Sequence, residues 1–142
     1  MSSRRPALLL SAAVLASLLL TNQPASAAEG HWATQAGAVA KAVTEAEAHF
    51  AKGDLDGAKR LLTEAYFQHF EDTKLEAAIR RHISAKRAVE IEKFFPTIRK
   101  AMAAGDAAQV KAVAQQLREA VAADAKSLDA DKVAPGVFEV NQ

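Results

Sequence analysis

Apolar residues recur at alternating intervals of three and four along much of the chain, which is the spacing of helices with one buried face. The two clearest stripes are Ala36, Val39, Val43, Ala46 and Phe50, and Val110, Val113, Leu117 and Val121. No segment shows the period-two alternation of a half-buried strand. The pattern predicts helices near residues 31 to 52, 55 to 71, 74 to 83, 85 to 104 and 107 to 128, with the third either separate from the fourth or fused to it.

Two similar corners divide this helical region. FAKGDLDGAK at 50 to 59 and MAAGDAAQVK at 102 to 111 each place a glycine where a helix would end and an aspartate where the next would begin. Glycine favours the left-handed position after a helix, and aspartate caps helix N-termini. The chain is therefore expected to be all-α, an antiparallel four-helix bundle built from two helical hairpins over residues 28–128. Residues 129–142, with Pro135 and Gly136, are expected to form a C-terminal tail.

The first 27 residues have the layout of a secretory signal peptide. Arg4 and Arg5 precede an apolar run from Ala7 to Leu20, and Ala25-Ser26-Ala27 supplies an A-x-A cleavage site. We expect a cleaved, periplasmic protein, and the alternative is a retained N-terminal anchor. Removal of residues 1–27 leaves 16 basic and 17 acidic residues, a net charge of −1. That balance gives no indication of nucleic-acid binding.

The chain contains no cysteine. This excludes disulfides, thiolate metal sites, covalently attached c-type haem and a cysteine nucleophile. The paired E-x-x-H motifs of a di-iron oxidase are also missing. We therefore expect a binding protein and no enzyme.

The segment EAYFQHFEDTKLEAAI, at 64 to 79, combines aromatic and acidic residues most densely. His69 continues the apolar stripe of the second helix, either as a core-edge histidine or as a metal or haem ligand. Thr73 and Glu76 have the spacing of a capping box, which would give Glu76 a structural role. Glu71 has no comparable capping role. It lies beside Phe70, where an unpartnered carboxylate would be costly to bury, so it is expected to have a partner.

Two further features complete the candidate set. Glu45 and His49 are four residues apart, so both side chains share one helix face and can reach one cation. Pro96 removes an N–H within the fourth helix and is expected to kink or break it. A basic run is either a solvated face or a docking surface for an acidic partner or anionic lipid; it consists of Arg80, Arg81, His82, Lys86 and Arg87.

GDLDGAKRLLTEAYFQHFEDTKLEAAI followed by EIEKFFPTI, from Gly53 to Ile98, resembles the exported soluble domain of bacterial iron permeases of the Ftr1 type. In that domain a GD-led helix runs into E-A-Y-F-x-x-F-E, a spaced second acid and an E-x-x-F helix. The resemblance singles out Tyr66, Phe67, Phe70, Glu71 and Glu76, then Glu92 with Phe95.

The chain departs from the family in two places. Thr73-Lys74 stands where the family often has Ser-Gly, and the R-E-x-x-E element of the permease helices is missing. The resemblance therefore implies a free-standing version of the exported domain: an accessory protein of iron uptake that binds iron or docks to an iron permease in the inner membrane.

Iron(III) favours carboxylates, imidazole and phenolate. The expected metal ligands are Glu71, Glu76, Glu92, His69, Glu45 and His49. One alternative is a b-type haem protein similar to cytochrome b562, with axial ligands such as His69 and Met102. Another is a ligand-free structural or docking module, in which the aromatics are core and the acids are caps.

Overall fold

The computed structural model describes residues 30–138, and the chain in this range is all-α. The helices are α1 (His31–Ala51), α2 (Leu55–Glu64), a π-helix (Ala65–Glu71), α3 (Leu75–His82), α4 (Ala85–Glu92), α5 (Phe94–Ala103), α6 (Ala107–Ala130) and a final 3₁₀ turn (Pro135–Phe138). The signal peptide predicted at residues 1–27 lies outside the described residues. Among those described, no helix combines the length and apolarity that a membrane crossing requires.

Both predicted corners are confirmed. Gly53 and Gly105 have φ angles of 83° and 69°, in the left-handed region that glycine adopts without a side-chain clash. Asp54 then accepts a hydrogen bond from the backbone N–H of Gly57 at 2.9 Å, and Asp106 caps α6 in the same way. Glycine and aspartate thus end one helix and start the next at each corner.

The break expected near Pro96 is also present. It lies at Lys93, between α4 and α5, three residues before the proline. Pro96 cannot donate to the carbonyl of Glu92, and its ring crowds that carbonyl. The carbonyl of Lys93 accepts both the backbone N–H of Thr97 at 3.3 Å and its hydroxyl at 2.7 Å. Glu92 is consequently the last residue of α4, directly before the break.

The apolar stripes meet in one hydrophobic core. α1 packs against α2 and α6, and α5 packs against α6. The stripes predicted in α1 and α6 are buried except at Phe50 and Val113, which are partly buried. Leu62 in α2 and Ile98 in α5 are fully enclosed.

The C-terminal end of α6 differs from the prediction. The helix continues to Ala130, and Asp129, expected to begin a tail, binds the start of α1. Its carboxylate accepts hydrogen bonds from the backbone N–H groups of Trp32 at 3.0 Å and Ala33 at 2.8 Å. The indole of Trp32 donates to the carbonyl of Val133 at 2.8 Å. These contacts hold the chain as far as Val133 against the first helix.

Candidate functional site

The aromatic and acidic segment begins with a π-helix, in which each N–H bonds five residues back. The N–H of Asp72, which caps its end, donates to the carbonyl of Phe67 at 2.9 Å. The extra residue per turn moves the core position from His69 to Phe70, so that Ala65 and Phe70 are fully buried and His69 is only partly buried. The stripe of the second helix thus continues through Phe70, where an uninterrupted α-helical period predicted His69, and the partly buried His69 fits the predicted core-edge histidine.

Four aromatic rings pack together beside this helix. Tyr66 contacts Phe67 and Phe95 edge-to-face, with ring centroids 4.9 and 5.1 Å apart. Phe70 lies 5.7 Å from Phe95 and fills the core beneath them. Phe67 is different, because 52% of its surface is exposed. Phe70 of this segment thus packs in the core, whereas Phe67 presents an aromatic ring at the surface.

The turn after the π-helix does not form the predicted capping box. The Thr73 hydroxyl donates to the carbonyl of His69 at 2.8 Å, and no side chain caps the N-terminus of α3. Lys74 occupies the capping position with a φ of 68°, a conformation that favours glycine. Glu76, the other member of the expected box, is therefore available for tertiary contacts.

Glu76 and Glu92 both bind one guanidinium nitrogen. Arg80 Nη2 lies 2.5 Å from Glu76 Oε1 and 2.6 Å from Glu92 Oε1, and Arg80 Nε donates to Glu76 Oε1 at 3.0 Å. Glu76 and Arg80 are four apart on α3, whereas Glu92 reaches them from the end of α4. Both carboxylates are largely shielded from water, with 17% and 27% of their side chains exposed.

The protonation equilibria of this group are mutually dependent. Burial raises the pKa of Glu92, and the adjacent Glu76 raises it further through a hydrogen bond and its charge, against an opposing effect of Arg80. Burial also raises the pKa of Tyr66, and the charges of Glu92, Glu71 and Glu76 add to this effect. Glu71, although exposed, thus lies close enough to act on both Glu92 and Tyr66. The structure brings Glu71, Glu76 and Glu92 into one electrostatic group.

The other predicted ligands are not brought to this group. Glu45 faces Lys41 at 3.9 Å, and His49 Nδ1 lies 2.7 Å from Asp54 Oδ2 at the first corner. The seventeen residues from Asp54 to Glu71 span roughly 25 Å of helix at about 1.5 Å per residue. In residues 30–138, no three histidine, aspartate or glutamate side chains converge as the ligands of one metal ion.

The expected haem ligands are also separated. Phe95 contacts Tyr66, whereas Arg99 reaches the carbonyl of Lys59, so α5 runs past α2 in the direction away from His69. Met102 lies one turn further along α5. His69 is three residues from Tyr66 and Met102 is seven residues from Phe95, so at about 1.5 Å per residue the two are roughly 15 Å apart along the helices. Axial ligands of one haem must bind the same iron, so this pair does not meet that requirement.

Two arginines of the basic run, Arg80 and Arg87, are paired with carboxylates within the fold. Arg80 is engaged by Glu76 and Glu92, while Arg87 Nε donates to Asp124 Oδ2 at 2.8 Å. Asp124 is itself buried, with 8% exposed. Sequence reasoning missed Asp124 and missed Arg80 as a partner of the predicted site. The i,i+4 spacing of Glu76 and Arg80 was the available signal for the second.

Comparison of the chain with protein-family models, with curated proteins and with solved structures finds no match.

Proposed function

We propose that the protein is an exported accessory protein of iron uptake that binds iron through carboxylates on a helical bundle. The observation that carries this proposal is the convergence of Glu76 and Glu92, from two separate helices, on Arg80 Nη2. Two carboxylates arranged around one positive centre already provide the electrostatics of a cation site. A hard cation such as iron(III) prefers oxygen ligands of this kind.

Arg80 would act as an internal substitute for the cation. Its side chain is 43% exposed, so the guanidinium can leave the carboxylates for solvent without unpacking the core. Glu76 and Glu92 would then bind the ion, and Glu71 is a further carboxylate whose charge raises the pKa of Glu92. The raised pKa of Tyr66 keeps its phenol protonated, so we assign Tyr66 to the wall of the site.

Uptake and release would depend on protons as well as on Arg80. Because the folded state raises the pKa of Glu92, this carboxyl retains a proton more readily than an isolated glutamate does. A cation competes with that proton and with Arg80 for the same oxygens. The proposed site therefore binds reversibly, more strongly as the pH rises, as suits a protein that passes its ion onward.

The remaining parts of the proposal follow from the sequence. We propose an antiparallel four-helix bundle made of two helical hairpins, export to the periplasm by the signal peptide at residues 1–27, and an iron permease of the inner membrane as partner. No catalytic step is assigned to the chain. In the competing ligand-free module, the bond between Arg80 and the two carboxylates is permanent and purely structural.

Calorimetric titration with ferric citrate, with thermal melts in the presence and absence of iron, tests the metal site. Wild type should show saturable heat and a raised melting temperature, because a ligand that binds only the folded state stabilises it. Replacing both Glu76→Gln and Glu92→Gln should weaken binding at least tenfold. Arg80→Gln should have the opposite effect and strengthen it, because it removes the competing cation.

Glu64→Gln is the matched control, since Glu64 forms an exposed i,i+4 pair with Arg60 at 3.1 Å outside the cluster. It should bind iron as wild type does. If wild type gives no heat or melting shift beyond that of the Glu76→Gln, Glu92→Gln double variant, the ligand-free module is correct.

A further inference from the structure

A surface cavity of about 290 Å³ lies between the α2–π-helix segment and the junction of α4 with α5. Its apolar wall is formed by Leu62, Tyr66, Phe67 and Phe95, and Glu92 and Arg99 contribute its charged groups. Pro96 also lines it, so the interruption between α4 and α5 coincides with the opening. The proposed cation site uses Glu92 and Tyr66 but gives no role to the rest of the lining, which includes Phe67 and Arg99.

The apolar wall suits a flat ring. Tyr66 and Phe95 stand edge-to-face in the wall, and the half-exposed Phe67 extends it outward. Exposing a large aromatic side chain leaves apolar area in water that a ligand would cover. Because an apolar cavity of about 150 Å³ is enough to bind benzene, 290 Å³ accommodates one substituted ring.

Arg99 supplies the positive end of the cavity. One of its nitrogens, Nη2, donates to the Thr63 hydroxyl and lies 3.4 Å from the carbonyl of Lys59. Among the described residues no acidic side chain pairs with Arg99, whereas Arg60, Arg80, Arg87 and Arg118 each have a carboxylate partner. A guanidinium has five N–H donors in a fork that matches a carboxylate, so Arg99 retains donors for an anion.

Glu92 supplies an acceptor at the other end. It is seven residues before Arg99, which places the two about 10 Å apart along the chain direction of the helices. A ligand of similar length is a benzene ring with a carboxylate at one end and a hydroxyl or amino group at the other. With one hydrogen bond of about 2.8 Å at each end, it spans a distance comparable to that between Glu92 and Arg99.

We infer that this cavity binds a single-ring aromatic acid carrying a hydrogen-bond donor opposite its carboxylate. The ring lies against Phe67 and Phe95, the carboxylate binds Arg99, and the donor group binds Glu92. Binding of this ligand requires no metal ion. It also engages Arg99, Phe67 and Phe95, which the proposed cation site does not use, and it shares Glu92 with that site.

Backbone amide NMR titrations with 4-hydroxybenzoate, benzoate and benzyl alcohol, in metal-free buffer containing a chelator, test the inference. Wild type should give saturable shifts confined to residues around the cavity, with 4-hydroxybenzoate binding more tightly than benzoate. Arg99→Gln should weaken the binding of both acids about tenfold and leave the affinity for benzyl alcohol unchanged. Glu92→Gln should strengthen the binding of benzoate, because it removes a nearby negative charge. It should also reduce the difference in affinity between 4-hydroxybenzoate and benzoate.

Arg81→Gln is the control, because Arg81 is an exposed arginine that does not line the cavity. It should titrate as wild type does. Phe67→Ala should weaken the binding of all three compounds, since it removes the exposed part of the apolar wall.

Unsaturable or scattered shifts in wild type, or equal affinity in wild type and Arg99→Gln, would overturn the inference. So would shifts at the cavity that appear on concentrating the protein alone, since they would mean that a second copy of the chain covers Phe67. Loss of iron binding in Glu76→Gln with retention of 4-hydroxybenzoate binding would separate this cavity from the cation site.

Discussion

The carboxylate of Asp129, near the end of α6, caps the first turn of α1 by accepting hydrogen bonds from Trp32 N and Ala33 N. Gly30, the residue at the capping position of α1, has no side chain for this role. A negative charge at a helix N-terminus also interacts favourably with the helix dipole. A residue 97 positions away thus performs the task that a local serine or aspartate usually performs.

Asp129→Ala should therefore lower the free energy of unfolding by about 1–2 kcal/mol. Urea denaturation followed by circular dichroism measures this, with Asp131→Ala as the control because Asp131 is exposed beyond the helix end. Equal stability of the two variants would show that the cap contributes nothing.

The π-helix predicts an unusual order of substitution effects. Phe70→Ala should cost about 3–5 kcal/mol, because it empties a fully buried site in the core. Phe67→Ala and His69→Ala should each cost less than about 1 kcal/mol, since neither side chain is fully buried. Thermal or urea unfolding of the three variants measures the order. A larger loss for His69→Ala than for Phe70→Ala would indicate an ordinary α-helical register.

Glu92 should give the fold a specific pH dependence. Because its pKa is raised by burial and by Glu76, the folded state binds the proton more tightly than the unfolded state, so ionised Glu92 disfavours folding at neutral pH. Glu92→Gln lacks this ionisation. Its stability relative to wild type should be highest near pH 7 and decrease as the pH falls toward 4.5, the ordinary pKa of a glutamate.

Urea titrations of both proteins at several values of pH between 7 and 4.5 would measure the difference. Metal-free buffer is needed, because a bound cation would stabilise wild type alone. A relative stability of Glu92→Gln that increases as the pH is lowered would contradict the assigned direction.

Lys74 should be replaceable with a gain in stability. Its φ of 68° costs a side-chain-bearing residue about 1–2 kcal/mol, whereas glycine adopts this conformation freely. Glycine loses more conformational entropy on folding, which offsets part of this gain. Lys74→Gly should therefore stabilise the protein by about 0.5–1 kcal/mol. The same substitution at Lys111, exposed within α6, should destabilise it by about 1 kcal/mol. Melting temperatures of the two variants should move in opposite directions.

Local rules were sufficient to predict the helices and their corners. Gly53 and Asp54 determine the first corner through interactions within a few residues, and Gly105 with Asp106 does the same at the second. The helix break near Pro96 follows equally from one residue. Such features depend on sequence neighbours, so one sequence reveals them.

Features that depend on tertiary packing were not predictable in this way. The π-helix exchanges His69 for Phe70 in the core, and hydrophobic periodicity alone does not contain the extra residue. The capping role considered for Glu76 came from its spacing to Thr73, whereas its contact with the Arg80 that also binds Glu92 depends on how α3 meets α4. The pairing of Arg80 with Glu76 follows an i,i+4 spacing that the sequence shows, but the contact of Arg80 with Glu92 does not.

The contact between Trp32 and the region around Asp129 has a consequence for how the chain folds. These hydrogen bonds span 96 to 101 residues, so almost the whole domain must be present before the first helix can be capped. Such long-range closure raises contact order and slows folding. During synthesis, α1 leaves the ribosome long before Asp129 and Val133 exist, and the native structure cannot be completed until they emerge. If the chain is exported as proposed, this delay would favour its passage across the membrane in an unfolded state.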